Sequence, residues 1–200
     1  MIDELTVSDR SPVELRRLLR VESNLLAHHL DVLDGVGLIE RSRSSGDGRR
    51  RYVRLRRSAL DGLLPGRPVE VAPAMFVCSA NSARSQLAAA LWSELTGVRA
   101  DSAGTHPAER VHPAAVAAAN RAGLDLSRAE PTALAARDAL PPLVITVCDR
   151  AHEEVDGNES WLHWSVRDPV PIGTKAAFDT TLRELRERIE SLLGAQLLAS

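Results

Sequence analysis

Val77-Cys78-Ser79-Ala80-Asn81-Ser82-Ala83-Arg84-Ser85 lies between a short apolar run, Met75-Phe76-Val77, and a segment with helical spacing. The apolar run predicts a buried strand, and Leu87, Leu91 and Leu95 predict a helix from Ser85 to Thr96. Backbone N–H groups at such a strand-to-helix junction point inward at a helix N-terminus and bind a tetrahedral oxyanion. We therefore predict an oxyanion-binding loop formed by Ser79, Ala80, Asn81, Ser82, Ala83, Arg84 and Ser85.

Cys78 and Arg84 are the candidate catalytic residues of this loop. Arg84 follows Cys78 by six positions and can fold back to hold two oxygens of the anion. The positive electrostatic field of the loop amides and Arg84 favours the thiolate of Cys78 over its thiol, and Ser85 is a candidate hydroxyl donor to the sulfur. This spacing is weak evidence alone, but after a buried strand and beside Asn81 and Ser85 it predicts a cysteine nucleophile. The alternative is an inert buried cysteine beside a surface arginine.

The pattern around the loop predicts an α/β domain over residues 74–200. Leu143 to Val147 is a second buried strand, Pro113 to Ala122 an alanine-rich helix, and Phe178 to Leu193 a closing amphipathic helix. Strands that alternate with helices indicate a parallel sheet, with ligands at the carboxyl ends of its strands. Residues 64–73, which include Pro65, Gly66 and Pro68, form the predicted linker to an N-terminal domain.

The N-terminal domain, residues 1–63, is predicted to be a winged helix-turn-helix, mainly helical with a β-hairpin wing. Ser11-Pro12-Val13-Glu14 is a capping box that begins a helix ending near Arg20, with an apolar set at Val13, Leu15, Leu18 and Leu19. A second helix buries Leu25, Leu26, Leu30 and Leu33 and ends at Gly35 or Gly37. Two strand-like segments flank Ser44 to Gly48, a hairpin signal.

Charge is divided unevenly along the 200 residues, whose net charge is −2. Residues 1–68 hold 13 arginines against 10 acids, whereas residues 69–200 hold 12 basic against 17 acidic residues. Positive charge is densest from Arg41 to Arg57, which suits binding to a polyanion.

No apolar run is long enough to cross a membrane, and two cysteines are too few for a disulfide scaffold, so we expect a cytoplasmic protein with reduced thiols. The six histidines lack partners at ligand spacing, so no metal site is expected.

Residues 74–200 resemble the low-molecular-weight protein tyrosine phosphatase superfamily, and within it the arsenate reductases. The resemblance rests on the loop from Val77 to Gln86, on Ser102-Ala103-Gly104-Thr105 with His112-Pro113, on 122–127, and on His163-Trp164-Ser165-Val166-Arg167-Asp168-Pro169. It implies a parallel four-stranded sheet flanked by helices, and it makes Asp168 the general acid that protonates a leaving oxygen. The alternative is that Asp168 is only a turn residue.

The same loop binds phosphate or arsenate, and two features favour arsenate. Phosphotyrosine phosphatases of the superfamily usually place aromatic residues after the Asp-Pro pair, whereas Val170-Pro171-Ile172 follows here. Gln86 after Ser85 is similar to the reductases, since the phosphatases typically carry Ser-Pro.

Cys148 matches the position of the first resolving cysteine of thioredoxin-coupled reductases, but the next cysteine is missing. Two routes to arsenite therefore stay open: a Cys78–Cys148 disulfide reduced by thioredoxin, or attack by an external thiol such as mycothiol (with mycoredoxin) or glutathione. A third reading makes Cys148 an ordinary core residue. No tightly bound cofactor is expected.

Residues 21–57 resemble the winged helix of the arsenic-repressor (ArsR) family through Ala27-His28-His29-Leu30 and 32–39. The resemblance implies that Ser23, Asn24 and His28 face the major groove of DNA and that Arg49, Arg50 and Arg51 reach phosphates. No cysteine precedes Cys78, so the module has no thiolates of its own for sensing arsenite. The first helix of the family, which helps to form its dimer, is missing or very short here, so a homodimer would have to use another segment of the chain.

The leading hypothesis is an arsenate reductase fused to an ArsR-type DNA-binding module, acting in arsenic resistance and its transcriptional control. The alternatives are a low-molecular-weight phosphotyrosine phosphatase and a transcription regulator whose second domain senses an oxyanion without catalysis.

Overall fold

The computed structural model describes residues 1–56, 59, 71–155 and 160–197, with side chains to residue 194. The N-terminal part contains three helices and a two-stranded antiparallel hairpin: α1 (Ile2–Val7), α2 (Pro12–Leu19), α3 (Ser23–Gly35), β1 (Ile39–Arg43) and β2 (Arg51–Leu55). The two predicted helices and the hairpin are confirmed, and the short α1 was not predicted. Most of the predicted linker, 64–73, lies outside the described residues.

Helix α2 begins as predicted, with Glu14 N–H donating to Ser11 Oγ and Ser11 N–H donating to the Glu14 carboxylate. Its predicted apolar face is wrong in part, because only Leu15 is fully buried while Val13 and Leu18 are 58% and 44% exposed. An eight-residue helix has two turns, and here one side packs on α3 and β2. In α3 the prediction is also wrong for Leu25, which is 48% exposed.

The C-terminal part is an α/β layer structure around a four-stranded parallel sheet, which confirms the predicted fold class for this region. Its order is β4-β3-β5-β6. The elements are β3 (Ala74–Cys78), α4 (Arg84–Thr96), β4 (Ala100–Gly104), α5 (Pro113–Arg121), β5 (Leu143–Thr146), α6 (Asp149–Glu154), β6 (Leu162–His163) and α7 (Lys175–Leu197). Strand β3 is buried along its whole length at the centre of the sheet, so it holds the loop that follows it on a rigid support.

The segment just before α2 runs beside β6, the edge strand of this sheet. Asp9 N–H donates to His163 O at 2.7 Å, His163 N–H to Ser8 Oγ at 2.8 Å, and Trp164 Nε1–H to Val7 O at 2.9 Å. Val7 belongs to the same buried cluster as the sheet. The N-terminal part therefore completes the edge of the C-terminal sheet.

The tip of the hairpin contacts α6. Ser45 N–H donates to Asp149 Oδ2 at 2.8 Å, Asp47 N–H donates to Glu153 Oε2 at 2.7 Å, and Ser44 Oγ–H donates to Glu153. Burial opposes ionisation of Asp149, but hydrogen bonds and the neighbouring His163 outweigh it and lower the pKa of Asp149 to about 2. The hairpin tip is thus attached to a carboxylate that directly follows Cys148 in the chain.

Within the described ranges, no helix is long and apolar enough to cross a membrane.

Candidate active site

The loop after β3 places Cys78 at its centre. Asn81 adopts the left-handed conformation, with φ of 47°, and its N–H donates to Cys78 Sγ at 3.2 Å. Ser85 Oγ lies 3.0 Å from Cys78 Sγ and accepts a hydrogen bond from Asn81 Nδ2 at 2.8 Å. Asn81 and Ser85 therefore both contact the sulfur, and the role of Ser85 as a hydroxyl donor to it stays a prediction.

Carbonyl groups of the loop point away from its centre, towards the segment that follows β4. The carbonyl oxygens of Cys78, Ser79, Ala80 and Ser82 accept hydrogen bonds from the amides of Thr105, His106, Ala108 and His112. A peptide unit whose C=O points outward turns the next N–H inward. Among the described residues, no acceptor pairs with the amides of Ala80, Ser82 and Ala83. These donors are available to an oxyanion.

Arg84 and Asp168 come together at the loop, although 84 positions separate them in the chain. Arg84 Nη2 donates to Asp168 Oδ2 at 2.9 Å, and Nη1 donates to Val166 O at 3.0 Å. Arg84 is buried, while the side chain of Asp168 is 36% exposed. The guanidinium is thus fixed beside the loop with one carboxylate as its partner.

Cys148 contacts the start of the loop at Ser79 and lies at the N-terminus of α6. Its sulfur accepts from Ser79 N–H at 3.2 Å and from Ala151 N–H at 3.4 Å. Burial raises the pKa of Cys148 to about 11, which nearby Arg84 opposes and Cys78 reinforces. Cys148 is therefore a buried, protonated thiol at neutral pH that contacts the Cys78 loop through Ser79.

Sequence reasoning gave no role to three residues that support the loop. Gln86 Nε2–H donates to the carbonyl and side-chain oxygens of Asn81 and to Glu130 O, and Thr132 N–H also donates to Asn81 Oδ1. At Gly104, a Cβ atom would lie 2.7 Å from Ser79 O, so only glycine fits there. Gln86 and Gly104 lie in segments on which the resemblance to the phosphatase superfamily rests. That resemblance was the one sequence signal that could have indicated their supporting role.

The family model for low-molecular-weight phosphotyrosine protein phosphatases matches residues 74–200. The chain belongs to this family. It is also similar to an arsenate reductase solved in a phosphate-binding state, with 28% identity and a TM-score of 0.54 over 60% of this chain and 95% of that one. An arsenate reductase from Archaeoglobus fulgidus shows 27% identity and a TM-score of 0.53 over 60% and 98%. No curated protein matches the chain.

A low-molecular-weight protein tyrosine phosphatase from T. tengcongensis shares the fold, with 22% identity and a TM-score of 0.51 over 60% of this chain and 97% of that one. Membership in the family, with reductases and phosphatases as structural neighbours, makes the chain an enzyme of this type. The family match begins at residue 74, so it leaves the N-terminal part unassigned.

The predicted DNA-contacting residues lie on two surfaces of the N-terminal part. Ser23, Asn24 and His28 are exposed on the first half of α3. Arg49, Arg50 and Arg51 are exposed where the hairpin loop enters β2. The structure therefore leaves all six side chains accessible, and contact with DNA stays a prediction.

Proposed function

We propose that this member of the low-molecular-weight phosphatase family is an arsenate reductase joined to an ArsR-type DNA-binding module. One observation favours arsenate over a phosphotyrosine substrate. The chain has six Phe, Tyr and Trp residues, and all of them are buried, with Trp161 the most exposed at 8%. A phenol ring would need an exposed aromatic wall beside the loop, and the segment after Asp168 offers Val170 and Ile172 instead. A small oxyanion needs no such wall.

The first chemical step forms a bond between Cys78 Sγ and arsenic. The thiolate attacks arsenate held by the inward amides and Arg84, and the anion displaces Asp168 from Arg84. Asp168, once it has taken up a proton from solvent, passes that proton to the leaving hydroxide, which departs as water. In the second step another thiolate attacks Cys78 Sγ, and arsenite leaves with the electron pair of the arsenic–sulfur bond. Arsenic(V) is reduced to arsenic(III), and two thiols become one disulfide.

Either of two thiols completes the second step. Cys148 lies against the loop through Ser79 N–H, which supports an internal disulfide that thioredoxin would reduce. Its pKa of about 11 works against this route at neutral pH, because the thiol must first lose its proton. An external mycothiol or glutathione needs no second cysteine from the chain.

The test is arsenate-dependent thiol consumption by the full chain, supplied in turn with thioredoxin and with mycothiol plus mycoredoxin. An aryl phosphate is the parallel substrate. We expect kcat/KM for arsenate to exceed that for the aryl phosphate. The reverse ranking would assign the site to phosphatase activity, and no turnover of either substrate would favour a non-catalytic sensor.

Asp168→Asn is expected to separate binding from chemistry. Asparagine cannot deliver the proton, so kcat should fall on the order of 10²-fold. Arsenate binding should be retained or tightened, because the variant removes the carboxylate that competes with the anion for Arg84. Stopped-flow turnover and calorimetric titration with arsenate measure the two effects. Weaker binding with unchanged kcat would contradict the general-acid role.

The DNA-binding part of the proposal is supported by the exposed residues of α3 and by the arginines of the hairpin. A regulator that senses an oxyanion is the second candidate, and the contact between hairpin tip and α6 favours it. Asp149, which holds Ser45, directly follows Cys148, which itself contacts the oxyanion loop through Ser79. A change in the loop on ligand binding or oxidation could therefore shift the hairpin through these contacts.

A gel-shift titration on the DNA upstream of the chain's own gene tests this part. We expect specific binding whose logarithm falls linearly with the logarithm of salt concentration. Arg49→Ala with Arg51→Ala should reduce that slope by about 2, one unit for each lost phosphate contact. Arg183→Ala, an exposed arginine on α7, is the matched control. Equal affinity for unrelated DNA and an unchanged slope would refute the DNA-binding role.

A further inference from the structure

A second cavity, separate from the Cys78 loop, lies between the N-terminal part and the α/β domain. Its volume is about 630 Å³, a size that fits a small organic molecule. Helix α2 and the start of β2 form one side, and His152, Val155 and Trp161 form the other. No residue of the oxyanion loop lines it. The cavity is therefore not part of the active site.

The charged residues that the structure describes in the lining of this cavity are mostly positive. Of its described lining residues, one is a carboxylate, Glu14, and the arginines are Arg10, Arg17, Arg49, Arg50 and Arg51. The Glu14 carboxylate already has two partners, His152 Nε2 at 3.0 Å and Ser11 N–H at 2.6 Å. Arg49 and Arg51 make no ion pair with any described residue. The cavity consequently attracts an anion.

Arg10 adds a buried positive charge to the lining of the cavity. Its side chain is 8% exposed, its closest ion-pair contact is Glu4 Oε2 at 3.8 Å, and its Nε–H has no acceptor among the described residues. A buried guanidinium with an unpaired donor is costly unless something accepts its hydrogen bond.

Part of the cavity lining is apolar, and a site for inorganic phosphate alone would not need this apolar surface. Val13 and Leu18, two of the four residues in the apolar set predicted for α2, line this cavity instead of the core. Pro12, Val155 and Trp161 extend the apolar surface. A DNA backbone would use the arginines but would leave this apolar surface uncovered.

We propose that the cavity binds a small organic anion, with an aromatic or branched apolar body on the α2 and Trp161 surface and an acid group among the arginines. This binding does not depend on the proposed reductase activity. Because Arg49, Arg50 and Arg51 line the cavity, such a ligand would also compete with DNA if these residues contact phosphates, a consequence that rests on the proposed DNA binding.

The probe for this site is 1-anilinonaphthalene-8-sulfonate, an aromatic sulfonate whose fluorescence rises in apolar surroundings. N-phenyl-1-naphthylamine, which has the same aromatic body without the sulfonate, is the matched neutral probe. Both are titrated into the full chain in phosphate-free buffer, because inorganic phosphate would compete with the sulfonate for the same arginines. We expect saturable one-site binding of the sulfonate, at least about tenfold tighter than that of the neutral probe.

Two variants locate the site. Arg49→Ala with Arg51→Ala should weaken sulfonate binding on the order of tenfold and leave the neutral probe unchanged. Leu18→Asn, at an exposed position that should not disturb folding, should weaken both probes. Arg183→Ala is the control and should change neither, and thermal unfolding verifies that all variants are folded. Equal binding of the two probes, non-saturable binding, or insensitivity to both variants would overturn the proposal.

Discussion

Cys78→Ser is expected to abolish arsenate-dependent thiol oxidation, lowering turnover on the order of 10⁴-fold or more, to the uncatalysed background. A serine hydroxyl is a far weaker nucleophile than a thiolate, and the other described thiol, Cys148, lies outside the loop. The loop should keep its shape, because the new hydroxyl can accept from Asn81 N–H and pair with Ser85 as the sulfur does. The variant therefore removes the chemistry and not the binding site.

Calorimetric titration with phosphate provides the control for this variant. Phosphate should still bind, since Arg84 and the inward amides of the loop are unchanged. Turnover that stays within tenfold of the unaltered chain would contradict the nucleophilic role of Cys78. Loss of both turnover and phosphate binding would show only that the loop had collapsed, and Cys78→Ala would then be used to repeat the comparison.

Cys148→Ser, measured in the same assay, identifies the reductant. If Cys148 forms the internal disulfide, thioredoxin-supported turnover is lost and turnover with mycothiol and mycoredoxin is not. If both persist, Cys148 is a core residue. Because the pKa of Cys148 is raised to about 11, its thiolate fraction grows as pH rises, so a Cys148-dependent rate should increase from neutral pH towards that value.

Local patterns were sufficient to predict the elements that carry the loop. The apolar run before Cys78 and the leucine spacing after it placed β3 and α4 to within one residue. The capping box at Ser11 placed the start of α2 in the same way. These features are determined by residues close together in the chain, and the physical rules that govern them are local.

Features made by residues far apart could not be predicted from such patterns. Ser45 and Asp149 are 104 positions apart, and nothing near either one indicates the other. Val13 and Leu18 belong to the apolar set predicted for α2 but line a cavity, because an apolar pattern does not show whether anything covers the residues that form it. Strand β6, with two residues, is too short to produce a period.

Asp9→Ala is expected to lower the free energy of unfolding by about 3 to 5 kcal/mol, the usual cost of removing one partner of a buried ion pair. Arg188 Nη1 lies 3.0 Å from Asp9 Oδ2, and both side chains are at most 3% exposed. Burial disfavours the charge on Arg188, but Asp9 and Glu184 outweigh it and keep the pKa of Arg188 above its ordinary value. Without Asp9 the buried guanidinium keeps one carboxylate partner among the described residues, Glu184 at 3.1 Å.

The same substitution also removes the acceptor for Ser165 N–H, which donates to Asp9 Oδ2 at 2.7 Å. Asp9→Asn should be less harmful, because its amide oxygen can still accept that hydrogen bond while the charge is lost. Urea unfolding measures the difference, with Asp101→Ala as control. Asp101 pairs with Arg99, whose side chain is 81% exposed, so that loss should stay below about 1 kcal/mol.

A large effect of Asp9→Ala would mean that the α/β domain depends on a residue outside its own family match, which begins at residue 74. Arg188 on α7 and Ser165 after β6 both belong to that domain, yet their buried partner comes from the segment before α2. The two parts would then unfold together, in one cooperative urea transition. A loss under 1 kcal/mol, or two separate transitions in the unaltered chain, would show instead that the domain is stable without this contact.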